Sequence, residues 1–230
     1  MQSCANNESL HRYRAHVATL RHPVQRLISA FNYERPIAWV QKSYPKFSKC
    51  FDTFAEAFFA AASKLRDDSY QNDTNTDDDC PAIALRVLQG EVSEYISHFT
   101  YNYQYYEKVV LLPADDKHLL AIRQEHHAAD LMSIHSILMG SVVTNTTTTS
   151  PTALDTSVRN VGLKVDLASI PPNVLQGACL VLCDEIQAYK RLLYRSENLA
   201  EQDLRESLQS LRETCPDEPI HHLRTDCTNR

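Results

Sequence analysis

Glycine is scarce in this sequence. Only four occur, Gly90, Gly140, Gly162 and Gly177, and no G-x-G-x-x-G or Walker-type loop can be assembled from them. A Rossmann dinucleotide site and a P-loop NTPase are thereby excluded. Long apolar runs are missing too, so no segment reads as a bilayer span. Positive charge is not in excess: 23 Lys and Arg stand against 29 Asp and Glu, a net charge of −6. General nucleic-acid binding needs a broad basic footprint, so any anion site here must be local. Zinc spacing is also lacking. The cysteines at 4, 50, 80, 179, 183, 215 and 227 form no paired C-x-x-C pattern. Cys179 and Cys183, one helical turn apart, read as core packing rather than a ligand pair. The opening MQSCANNESLHRYR is polar and does not read as a signal peptide. Sequons at Asn7, Asn72 and Asn145 point only weakly to a secretory compartment.

What is present fits one domain with a full core at 230 residues. The organising stretch is HVATLRHPVQRLISAFNY, His16 to Tyr33. Ala15 to Leu20 has the length and composition of a buried strand. Pro23 stands where a helix begins, since its fixed φ suits the first helical position and its missing N–H costs nothing there. Val24, Leu27, Ile28 and Phe31 then follow the i, i+3, i+4, i+7 pattern of one core-facing stripe. Arg26, Ser29 and Tyr33 fall on the opposite face, and Arg21 lies at the turn. A helix N-terminus carries free N–H groups and a positive dipole end. An arginine at its mouth adds a planar fork matched to phosphate or sulfate. The plain alternative is that Arg21 and Arg26 are surface charges and Ser29 a neutral helix residue.

The same strand-then-helix order recurs in HLLAIRQEHHAADLMSIHSILMG, with Leu119–Ile122 as strand. Ala128 or Ala129, Leu131 or Met132, Ile134 and Leu138 form the helical stripe, and Gly140 the stop. Two parallel strands joined through helices give an α/β class: a small parallel sheet flanked by helices. Between them, Ile37–Cys50 reads as a loop or broken helix carrying Trp39, Tyr44 and Phe47. Phe51–Leu65 reads as an amphipathic helix, its packed side including Phe51, Phe54, Phe58 and Phe59, with Asp52 or Thr53 placed to cap it. DDSYQNDTNTDDDC is a polar surface loop; it lacks the glycine, glutamate and spacing of an EF-hand. Pro81–Gly90 is a short helix. In EYISHFTYNYQYY, Tyr95, Phe99, Asn102 or Tyr103, and Tyr106 make one helical stripe, with Tyr101 and Tyr105 off it, placed for packing or for stacking on a sugar or adenine ring. NTTTTSPTALDTS is linker-like. Val174–Leu193 reads as one helix, and Leu204, Leu208 and Leu211 mark a last one, the pair forming a hairpin. His126, His127, His221 and His222 read as solvated faces rather than a metal site.

RHPVQRLISAF resembles the 3′-phosphate-binding segment of the sulfotransferase superfamily, in its Golgi and carbohydrate-type branch. The family pattern is a strand, Arg-x-Pro, a second Arg, and Ser eight residues after the first Arg; here these are Arg21, Pro23, Arg26 and Ser29. The tyrosine-rich stretch, and the late strand followed by Glu125 and a leucine-rich helix, resemble the same family; His127 departs from its usual apolar residue. The resemblance implies an incomplete P-loop-like sulfotransferase fold: a partial α/β core over 1–140, a linker over 141–160, a C-terminal helical hairpin over 161–214 and a polar tail over 215–230. It implies that Arg21, Arg26 and Ser29 bind the 3′-phosphate of 3′-phosphoadenosine 5′-phosphosulfate (PAPS). It also implies a glycan hydroxyl as acceptor, no metal, and a Golgi or secretory location.

The family's P-K-x-G-T loop for the 5′-phosphosulfate has no counterpart in this sequence. That departure leaves two expectations. One is a sulfotransferase-like protein, truncated, transferring a sulfuryl group from PAPS to a carbohydrate-type hydroxyl. The other is a non-catalytic relic that binds nucleotide or a partner. Apart from these two, the sequence also leaves open a helical scaffold with no nucleotide site. No general base is assigned; His11 and His98 are the only candidates, and each reads more simply as an ordinary polar residue. No nucleic acid partner and no membrane segment are expected.

Overall fold

The computed structural model describes residues 15–34, 45–66, 79–91, 99, 101–108, 118–139 and 166–216. The expectations for Trp39, Tyr44, Tyr95, His11, His98, His221, His222, the three sequons, residues 67–78, residues 141–160 and the tail from 217 lie outside the described residues.

Strand β1 spans Ala15–Leu20 and leads through Arg21 and His22 into helix α1, Pro23–Glu34. The α1 stripe is as its spacing demands: Val24, Leu27, Ile28 and Phe31 are all buried. Strand β2 spans His118–Arg123 and runs parallel to β1, with Ala15 opposite His118 and Leu20 opposite Arg123. The two form a two-stranded sheet. The described residues are otherwise mostly helical. The outer side of β2 is covered by the chain at Ser196–Asn198. Leu119 bridges Ser196 in parallel, Glu197 N donates to Leu119 O at 2.9 Å, and the Asn198 amide takes the place of a neighbouring strand. Its Oδ1 accepts from Ala121 N at 2.6 Å, and its Nδ2 donates to Ala121 O at 2.8 Å. An arrangement of this kind satisfies buried strand groups that water cannot reach.

Helices α2 (Pro45–Cys50), α3 (Phe54–Arg66) and α4 (Cys80–Leu88) pack on the core. The α3 start is a capping box: Thr53 Oγ1 accepts from Glu56 N at 3.3 Å, and Glu56 Oε2 accepts from Thr53 N at 3.1 Å. Thr53 is therefore the cap. Phe51 is buried ahead of the helix, while Phe59 is 55% exposed. The Cys50–Cys80 disulfide joins α2 to α4. The short helix α5 (Tyr103–Tyr106) corrects the reading of one continuous tyrosine stripe. Asn102 is extended there and its side chain accepts from Tyr105 N at 2.8 Å, so the helix starts afresh at Tyr103. Of that stripe, Phe99, Asn102 and Tyr103 are buried and Tyr106 is exposed.

Helix α6, His127–Met139, buries only Asp130 and Ile134; Met132 and Leu138 face solvent. Its phase is set by charge instead of by the apolar stripe. Asp130 turns inward onto the buried Arg123, accepting from Nη2 at 2.7 Å and Nε at 3.0 Å. The single helix read over 174–193 is two, α7 (Pro172–Val181) and α8 (Cys183–Arg195), broken at Leu182. Neither Pro nor Gly marks the break. The two halves are anchored separately, α7 by the Cys179–Cys215 disulfide and α8 by Glu185, which reaches Tyr103. Cys179 and Cys183 are buried, and Cys183 is disulfide-bonded as well. Helix α9, Glu201–Thr214, buries Leu208 and Leu211. Gly177 lets α7 close on α3: a Cβ there would sit 3.1 Å from Ala62 Cβ. Among the described residues no helix is long and apolar enough to cross a membrane.

Candidate functional site

The β1–α1 junction lies at the C-terminal end of both strands, where parallel sheets place their ligands. Leu20 is fully buried and fixes the strand end; Arg21 follows it, half-buried. The backbone of Arg21 is held by one phenol. Tyr103 Oη accepts from Arg21 N at 2.7 Å and donates to Arg21 O at 2.7 Å. Burial pushes that phenol well above the ordinary tyrosine range, so it stays neutral and can serve both roles. Burial also lowers the Arg21 pKa, and the neighbouring Glu125 charge opposes that shift.

The N-terminal turn of α1 is partly open. Its first internal bond runs from Arg26 N to His22 O at 2.9 Å. Pro23 has no N–H to satisfy. The amides of Val24 and Gln25 have no partner among the described residues. The His22 amide is taken by Glu125, whose Oε1 accepts from it at 3.4 Å. Glu125 is exposed and sits at the positive end of the helix as a carboxylate would in any first turn.

Arg26 turns toward α8. Its Nη2 is 2.6 Å from Glu185 Oε1, and its guanidinium carbon is 5.2 Å from the Tyr103 ring centroid. Glu185 is buried, and its Oε2 accepts from Tyr103 N at 2.9 Å. Arg26, Tyr103 and Glu185 thus form one buried cluster that ties α1, α5 and α8 together beneath the junction. Ser29 is half-buried, one turn beyond Arg26 on the same face of α1. Its place is roughly 9 Å along the helix axis from Pro23. Arg26 and Ser29 therefore share a face, Arg21 stands at the mouth, and the Arg26 head is engaged with a carboxylate.

His22 is 4% exposed, and neither ring nitrogen meets a hydrogen-bond partner in normal geometry. Burial lowers its pKa to about 4, with the Ser210 backbone opposing that shift. The ring is therefore neutral across the physiological range. The Ser210 backbone lies near the ring but is too poorly aligned for a hydrogen bond.

Two residues central to this region, Tyr103 and Glu185, were not singled out as site groups from sequence. Glu185 stands three residues after Leu182 and one before Ile186, and only that inward phase could have signalled burial. His126 is half-buried and His127 exposed. Among the described residues no group of three or more His, Cys, Asp or Glu side chains is placed to hold a metal ion. No family model, no curated protein and no solved structure matches this chain.

Proposed function

We propose that this chain is a sulfotransferase-like protein that holds the 3′-phosphate of PAPS at the β1–α1 junction. The associated reaction is transfer of the sulfuryl group from PAPS to a carbohydrate-type hydroxyl. The observation that carries this reading is the parallel β1–β2 pair with Arg21 at its C-terminal end. That placement is the one a phosphate-binding strand–turn–helix requires, and it disfavours a helical scaffold without such a notch. The amides of Val24 and Gln25 supply donors, Arg21 the charged fork, and Ser29 a hydroxyl further along. Arg26, neutralised by Glu185, contributes mainly by fixing α1 under the junction. The exposed Glu125 must swing off the His22 amide when an anion arrives, because two like charges would otherwise share one helix end. In the transfer, the acceptor oxygen forms a bond to sulfur as the bond from sulfur to the bridging phosphate oxygen breaks. The acceptor proton leaves to a base that no described residue is assigned to. The disulfides Cys50–Cys80 and Cys179–Cys215 suit an oxidising secretory compartment such as the Golgi lumen.

A second reading, a non-catalytic relic that keeps the fold for nucleotide or partner binding, is favoured by one observation. The Arg26 head and the Arg21 backbone are already committed to Glu185 and Tyr103. Titration calorimetry with 3′,5′-adenosine bisphosphate tests the first reading. It predicts a dissociation constant on the order of micromolar. Arg21→Ala should weaken binding by about tenfold or more, the worth of a charged hydrogen bond. No heat of binding at millimolar nucleotide overturns it. Transfer of labelled sulfate from PAPS to a glycan acceptor overturns the second reading.

A further inference from the structure

A half-open cavity of about 520 Å³ lies among the end of α3, the first turns of α7 and the end of α9. Arg21, Arg26 and Ser29 do not line it, so it is separate from the proposed nucleotide site. Its volume is within the usual range for small-molecule sites, roughly 300–1,000 Å³. The walls are mostly apolar, from Pro172, Leu175 and Leu180. Cys179 also lines it, and the Cys179–Cys215 disulfide ties α7 to the end of α9. The cavity is therefore preformed, which limits the ordering cost of filling it.

Its charged groups are few, Arg66 and Glu213. The Arg66 side chain stands at the rim with no hydrogen-bond or ion-pair partner among the described residues. The Asn173 and Gln176 side chains beside it are likewise without a protein partner among the described residues. Glu213 also lines the cavity, its Oε1 accepting from Gln209 Nε2 at 2.9 Å, so Arg66 and the positive end of α7 together must outweigh its charge. Helix α7 has no acidic residue in its first turn and no side-chain cap, so its own residues leave its positive end uncompensated.

We infer that this cavity binds a small amphipathic anion, with an apolar body against Leu175 and Leu180 and a carboxylate or sulfonate facing Arg66. The apolar walls supply affinity, and the Arg66 guanidinium supplies the preference for an anionic head.

The test uses the full chain and the aryl sulfonate dye 8-anilinonaphthalene-1-sulfonate, displaced by decanoate or by decanol. Saturable dye binding is expected, with decanoate displacing at about fivefold lower concentration than decanol, the scale of an exposed ion pair. Arg66→Ala, a surface change, should bring the two displacers level. Leu175→Trp, which fills the cavity, should abolish dye binding while circular dichroism and melting show the fold intact. The inference is overturned if no saturable dye binding occurs below about 1 mM. It is equally overturned if Arg66→Ala leaves the decanoate preference unchanged, or if folded Leu175→Trp still binds dye as the parent does. Nucleotide binding is measured in parallel, and its presence or absence leaves this result unaffected.

Discussion

Glu185 sits 3% exposed with its partner Arg26 only 16% exposed, so a single substitution in this pair bears directly on the fold. A buried ion pair adds little over an apolar pair of the same shape, but removing one member strands the other. Arg26→Ala should therefore lower unfolding free energy by about 3 kcal/mol, read from the urea midpoint. A cost under a few tenths would mean that the pair is as good as solvated. His22 gives the second residue-scale prediction. Burial holds its folded pKa at about 4, below the unfolded value near 6.5. As pH falls the unfolded chain takes up the proton first, so stability is full above pH 6.5 and declines down to pH 4. The decline from this group is about 3 kcal/mol. Carboxylates titrate over part of the same range, so the comparison is with His22→Phe. Its melting temperature should fall less steeply between pH 6.5 and 4; parallel curves would contradict the buried neutral imidazole.

At the scale of the element, the end of α4 shows what a turn residue is for. Glu91 N bonds Arg86 O at 2.9 Å and Gly90 N bonds Val87 O at 3.0 Å, a Schellman closure with Gly90 at φ 75°. A Cβ on Gly90 would stand 2.8 Å from Phe99 O and 2.7 Å from Asn102 Nδ2. Gly90→Ala therefore combines strain with a clash, and should cost about 1–3 kcal/mol by thermal or chemical unfolding; a neutral substitution would contradict the close approach. The elements themselves were legible where one periodicity ruled. Val24, Leu27, Ile28 and Phe31 announce α1, and the short run from Ala15 announces β1. The expectation of a buried strand is corrected: only Leu20 of β1 is buried and Val17 is 56% exposed, since among the described residues β1 pairs with β2 on one side alone. Legibility failed where a polar group set the phase. Nothing in an apolar pattern reveals that Asp130 turns inward, or that Asn102 restarts a helix by accepting from Tyr105 N. The break at Leu182 is invisible for the same reason, since its anchors are contacts made with distant parts of the chain.

Across the whole molecule, long-range polar contacts hold the β-strand ends against the C-terminal helices. Arg123, 1% exposed, bridges Asp130 and Asp203, the latter at 2.6 Å across 80 residues of chain. Tyr103 reaches Arg21 across 82 residues. A sequence reading assigns arginine to the surface by default, so this framework was hidden, while the parallel pairing of the two strands was readable from their repeated strand-to-helix order. The junction they create is the centre of the functional proposal. Its most direct test is the backbone amide spectrum of the folded protein during titration with 3′,5′-adenosine bisphosphate. Saturable shifts are expected, largest at Val24 and Gln25 and extending to Arg21 and Ser29, with the midpoint moved up by about tenfold or more in Arg21→Ala. Unmoved Val24 and Gln25 amides at millimolar nucleotide, or shifts centred on another surface, would contradict the proposal.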